Sequence, residues 1–223
     1  MSKKKSKIVE IDIVVPNDYS GITLRKYLNL QKDIEIHKED DDAMNAALFY
    51  HLCGVEPSIL SQLDTDTFTK IKSKLYEFLG NINFLLKRTI TIDGVKYGFE
   101  PNLSKMAYGA YLDLTKFPTL GLDKHWAKVM SILYRPIVRE WGALYSIEDY
   151  RGWKEWESEK WLDVSMDVHF GCFFFFNRLY KDLVLGILNS LKEKEEIPAS
   201  IKSILERSGQ DINQLHLLQG KTF

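Results

Sequence analysis

Four side chains invite a metal or acid–base reading: His125 and His169, with Asp163 and Asp167. Imidazole and carboxylate are donors that zinc and iron sites use. Asp167 and His169 stand two apart, which on a helix turns them away from each other. No HExxH or paired-His spacing supports a chelate. The expectation is helix-start acids beside surface or core histidines, with no metal and no cofactor. Asp40, Asp41 and Asp42 form a carboxylate run without the Gly and closing Glu of a calcium loop. They suit a solvated helix N-terminus, where negative charge is favoured. Cys53 and Cys172 sit in apolar sequence with no CxxC partner and read as reduced core thiols. GxSxG, GxxxxGK[ST] and GxGxxG do not occur. No catalytic residue is therefore expected, although a triad can assemble from distant positions.

Binding-type residues are more evident. Trp141, Trp153, Trp156 and Trp161 are interleaved with Arg151, Lys154, Glu155, Glu157, Glu159 and Lys160. Trp buries a large area at little entropic cost and is enriched at binding hot spots. Such rings either bind a partner or anchor an inserted loop to the core. Arg135 lies between Tyr134 and Pro136. Pro136 is expected to stop a helix whose last carbonyls Arg135 caps. Arg135 is either a buried ion-pair partner or an exposed contact flanked by aromatic groups. The candidate partner-binding set is Trp141, Trp153, Trp156, Trp161 and Arg135.

The bulk numbers narrow the class. Of 223 residues, 45% are hydrophobic and 27% charged, an ordinary globular composition. Thirty basic against 31 acidic residues leave a net charge of −1. That balance offers no global field for nucleic acid or a membrane. The one basic block is Lys3, Lys4, Lys5 and Lys7, read as a frayed end. No apolar stretch follows it, so no signal peptide is predicted. The run from Phe170 to Phe176 is far shorter than the ~20 residues a bilayer span needs.

These groups must be held by a helix-dominated α+β fold. Residues 8–15 are β-branched and read as a strand ending at Pro16. Residues 22–30 suggest a short helix. The acids at 39–42 start a buried helix over 43–52, stopped by Gly54 and Pro57. Residues 67–79 carry apolar side chains at helical spacing, closed by Gly80. Asp93-Gly94 between Thr89–Ile92 and Val95–Phe99 is the pair a type I′ hairpin requires. Residues 105–114 form a short segment and 124–133 a helix. Residues 163–191 read as a long helix central to the core. A charged linker at 192–196, a helix at 198–207 and an unpatterned end at 211–223 follow.

The chain also partly repeats itself. Tyr27-Leu28-Asn29-Leu30 resembles Tyr111-Leu112-Asp113-Leu114, and Leu48-Phe49-Tyr50 resembles Ile132-Leu133-Tyr134. Val15-Pro16-Asn17 resembles Glu100-Pro101-Asn102, Val55 corresponds to Val138, and Leu63-Asp64 to Leu162-Asp163. The predicted organisation is a disordered basic stretch at 1–7, a first unit at 8–87 and a second at 88–191. The Trp-rich residues 141–161 enter the second unit as an insertion, and 192–223 form a tail. Two related units with no repeated polar cluster suggest binding and not chemistry.

The second unit carries a family resemblance. ITIDGVKYGFEPNLSKMAYGAYLDL (residues 90–114), HWAKVMSILYRPIV (125–138) and WLDVSMDVHFGCFFFFNRLYKDLV (161–184) resemble small proteins encoded among the tail genes of bacteriophages. The likeness is to tail assembly chaperones and tail accessory proteins. ITLRKYLNL and the YHLCGV…SILSQL run are similar in a more diverged form, so the resemblance spans most of residues 8–190. It implies a host-cytoplasmic protein without a cofactor that holds an aggregation-prone tail protein, typically the tape-measure protein, during virion assembly. Self-association is compatible with it. A virion structural component, such as a tail or connector protein, is the alternative, and an enzyme of unknown chemistry the third reading.

Overall fold

The computed structural model describes residues 12–117, 122, 123 and 125–192, apart from the side chains of 184 and 186–192. The first half is helical. α1 (Leu24–Ile36) starts on Thr23, whose hydroxyl accepts the Lys26 N–H. α2 (Asp41–Leu48) starts on Asp40, whose carboxylate accepts the N–H groups of Asp42 and Ala43. The acidic run thus serves as a helix cap. α2 continues into a π-helical turn, Phe49–Cys53, which buries Phe49 and ends on Gly54 at φ 68°. That left-handed geometry is what a C-terminal glycine supplies. A short α3 (Pro57–Leu60) leads to α4 (Thr65–Gly80), capped by Asp64 through the Thr67 N–H.

Residues 12–16 form no strand, contrary to the sequence expectation, and 8–11 lie outside the described residues. Ile13 and Val15 instead pack directly against the core. Their alternation is satisfied by side-chain burial without a ladder.

Among the described residues the strands all lie after residue 88. β1 (Thr89–Ile92), β2 (Val95–Phe99), β3 (Tyr134–Trp141) and β4 (Leu144–Ile147) form an antiparallel sheet in the order β1-β2-β3-β4. Asp93 (φ 49°) and Gly94 (φ 78°) close the first hairpin with two positive φ angles, as a type I′ turn demands. Between β2 and β3 come α5 (Tyr108–Lys116) and α6 (Trp126–Leu133). Pro136 does not stop α6. The helix ends at Leu133 and the chain turns at once into β3, with Pro136 opposite Tyr97. Gly98 and Arg135 face each other across the β2–β3 ladder, so the nitrogen of Pro136 points away from β2 and toward the end of the β3–β4 ladder, where the Pro136 carbonyl accepts the Glu148 N–H (2.9 Å) and proline can return no bond. Arg135 accordingly caps no helix.

The expected insertion is an ordered return to the core. β3 and β4 form a second hairpin around Gly142 (φ 59°), followed by α7 (Glu155–Glu159) and a 3₁₀ turn (Lys160–Asp163). α8 (Met166–Lys192) closes the described chain. Its start is tied to that of α1: the Leu24 N–H donates to the Val164 carbonyl (3.1 Å), the Met166 N–H to the Ile22 carbonyl (2.7 Å). Arg25 adds a bidentate pair to Asp163 at 2.9 Å.

One core joins the halves. Leu24, Phe49 and Leu75 belong to it together with Phe99, Trp126, Tyr134, Trp161 and Phe173. α8 is central to that core only at its start. Met166, Val168, His169, Phe170, Cys172 and Phe173 are buried, Phe174 to Phe176 half-buried, and Leu179, Leu183 and Leu185 exposed. The expectation of a core helix along its whole length is corrected accordingly, with Ile187 and Leu191 outside the described side chains. No helix of the described residues is long and apolar enough to cross a membrane. The expected linker, helix and tail beyond residue 192 lie outside the described residues.

Candidate binding cleft and exposed apolar faces

The five candidate residues separate into three environments. Trp161 is in the core, 1% exposed, with its ring against Tyr97 and Tyr134. Arg135 is also inside: its guanidinium pairs with Glu100, and the two side chains are 11% and 8% exposed. Both are structural, which corrects their placement in a partner-binding set. Burial follows from β3, which starts at the buried Tyr134 and puts Arg135 beside Gly98.

Trp153 is half-buried, edge-on to Phe117, with Lys128 Nζ 4.5 Å from its ring centre. It anchors the loop after β4 to α6. Trp156 and Trp141 are exposed. Lys154 and Lys160 approach the Trp156 ring at 5.5 and 5.3 Å, a cation–π arrangement that keeps an apolar ring soluble. Trp141 ends β3 and belongs to no cluster with Trp156.

Arg135 and Trp161 do line a polar cleft of about 160 Å³, with Tyr97, Tyr150, Glu157 and Lys160 around it. Lys160 Nζ donates to the Tyr97 hydroxyl (2.8 Å), and the Tyr150 hydroxyl donates to Asp113 (2.6 Å). Burial, then the bond to the Asp113 carboxylate, pushes the Tyr150 phenol above its ordinary range. Bonds from Lys116 and Tyr150 hold Asp113 below the usual carboxylate range. Arg135 Nε is buried without a hydrogen-bond partner. Sequence reasoning missed this cleft, because its groups come from β2, β3, the loop after β4 and α7, which no short motif connects.

The other groups weighed for chemistry sit apart. His169 is fully buried, its Nε2 3.0 Å from the Trp161 carbonyl, and burial lowers its pKa to about 4. Cys172 is buried and Cys53 half-buried, both unpaired thiols that burial holds in the protonated form. Asp163 and Asp167 are taken by Arg25 and Lys87. Among the described residues no three His, Cys, Asp or Glu side chains gather as a metal site would require.

Among the described residues α5 and α8 each present more than one large apolar side chain to solvent. On α5, Tyr108, Tyr111 and Leu112 are exposed and fall on one face by their i, i+3, i+4 spacing, with the two tyrosine rings stacked. On α8, Leu179 and Leu183 share a face in the same way. Matched positions of the proposed repeat agree in burial at some pairs, with Leu48-Phe49 and Ile132-Leu133 all buried, and differ at others. Tyr27 on α1 is in the core while Tyr111 on α5 is exposed, and Val55 is buried while Val138 is exposed. No protein-family model, no curated protein and no solved structure matches this chain.

Proposed function

We propose that this protein binds other proteins, and that it is a bacteriophage tail assembly chaperone or accessory factor acting in the host cytoplasm. The observation that supports binding is the pair of outward apolar helical faces, Tyr108-Tyr111-Leu112 on α5 and Leu179-Leu183 on α8. Side chains spaced in this way on a helix suit helix-against-helix docking. Clustered exposed apolar groups on a folded chain mark interaction sites. The resemblance of residues 90–184 to tail proteins supplies the kind of partner, an aggregation-prone helical tail protein such as the tape-measure protein. Weak contacts at two separate faces would add by multivalency and still release as the tail assembles.

The test is capture of that protein by the wild-type chain and by a Tyr111→Asp, Leu183→Asp variant. A folded variant that loses capture supports the reading. A variant that captures as the wild type does removes both faces from it. The cleft beside Trp161 favours a second reading, small-ligand binding or catalysis, because it gathers titratable side chains in a concave polar site. A virion structural role is distinguished by presence of the protein in mature particles.

A further inference from the structure

We propose that β1 is a self-association edge, through which two copies of this chain join their sheets about a twofold axis at Ile90. The proposal rests on strand geometry and does not depend on the tail-assembly reading.

The pairing of β1 with β2 settles which backbone groups are free. The Phe99 N–H donates to the Arg88 carbonyl (2.8 Å), and the two-residue turn places Ile92 opposite Val95. Hydrogen-bonded pairs alternate with non-bonded ones along an antiparallel ladder. Arg88, Ile90 and Ile92 therefore bond toward β2. Thr89 and Thr91 aim their N–H and C=O groups the other way, and among the described residues no strand or backbone group meets them. An unpaired edge is a template for another strand. This one is short and flanked by Arg88 and Asp93, but the strand itself is regular. Thr89-Ile90-Thr91-Ile92 contains no proline, no charge and no irregularity. The opposite edge differs in its regularity, because the β3–β4 ladder is irregular at Ile137/Arg139.

Backbone register and side-chain polarity select a second copy as the occupant. An antiparallel twofold at Ile90 sets Thr89 against Thr91 of the partner subunit in bonded pairs, so each free group finds its complement. Ile90 then meets its own counterpart on the face that packs toward the core, and exposed threonines meet on the other face. Shifting the register by one residue would bring bonded positions against non-bonded ones.

The experiment is sedimentation analysis of the full chain from about 1 to about 200 µM. A reversible monomer–dimer equilibrium is expected. Thr91→Pro removes an outward N–H and spares the bonds to β2, so the dimer dissociation constant should rise at least about tenfold with circular dichroism unchanged. Should that variant not fold, Thr91→Lys gives the same readout from a solvent-facing side chain. In a Cys53→Ser background, Ile90→Cys should form an intermolecular disulfide on mild oxidation, since non-bonded antiparallel partners lie about 4.5 Å apart at Cα. Thr91→Cys should not, because its partner is Thr89. A mass that stays monomeric throughout overturns the proposal and assigns the edge to another occupant. A dimer that survives both Thr91 substitutions and fails to cross-link at position 90 also overturns it, and moves association to another surface.

Discussion

Gly171 has no side chain because the chain before β1 crosses α8 there. A Cβ at this position would stand 2.4 Å from the Leu85 carbonyl oxygen, a backbone atom that cannot swing aside. Gly171→Ala should therefore cost about 1–3 kcal/mol, by the usual scale of overpacking, read as a lower midpoint in chemical denaturation. Trp161 and Trp156 test burial against exposure at two neighbouring rings. Trp161→Ala should cost about 3–5 kcal/mol, whereas Trp156→Ala should stay within about 0.5 kcal/mol. Equal losses would mean that Trp156 is an anchor as well. His169 makes stability depend on pH. Burial lowers its folded-state pKa from 6.5 to about 4, so the unfolded chain binds the proton more tightly. Its contribution is complete above pH 6.5 and is lost as pH falls toward 4, amounting to roughly 3 kcal/mol at pH 4. His169→Leu should flatten that part of the stability–pH curve, and an unchanged acid limb would place the titration elsewhere.

Among the elements, the first hairpin was legible because Asp93-Gly94 states its own backbone requirement. The helix starts were legible for a similar reason: Asp40 and Asp64 are acids whose side chains accept helix N–H groups. The second hairpin was not. Pro136 reads as a helix stop, yet its missing N–H falls on the side of β3 that makes no bond to β2. Residues 12–15 show the reverse failure, since a β-branched pattern says which side chains are buried but not what pairs with the backbone. Arg135 shows that residue type does not fix environment. An arginine between aromatic groups suits an interface, but only the fold reveals Glu100 behind it. Arg135→Ala would leave the Glu100 carboxylate buried without its partner and should cost about 3–5 kcal/mol, checked by thermal or chemical unfolding. A neutral outcome would mean that water reaches Glu100. On α8 the apolar pattern runs past the point where the core ends, because sequence cannot distinguish packing within a chain from packing against another. Leu183→Asp should leave the unfolding midpoint unchanged and weaken partner capture.

At the scale of the whole molecule, both halves contribute to one core, and α8 leaves that core after Phe176 with leucines facing outward. The duplication is not shown: Leu48 and Ile132, like Phe49 and Leu133, are buried alike, but Tyr27 and Tyr111, like Val55 and Val138, are not, and the four strands of the described residues all lie after residue 88. Function was the least legible scale. The tryptophans that drew attention divide between core, anchor and surface, while the apolar face of α5 emerges only when Tyr108, Tyr111 and Leu112 are seen together. The central claim, a tail protein held during assembly, is tested most directly by co-purification from infected cells alongside mass spectrometry of purified virions. Capture of a long helical tail protein in the lysate, with this protein missing from mature particles, is the predicted result. Stoichiometric presence in the particle would contradict it and make this chain a structural component.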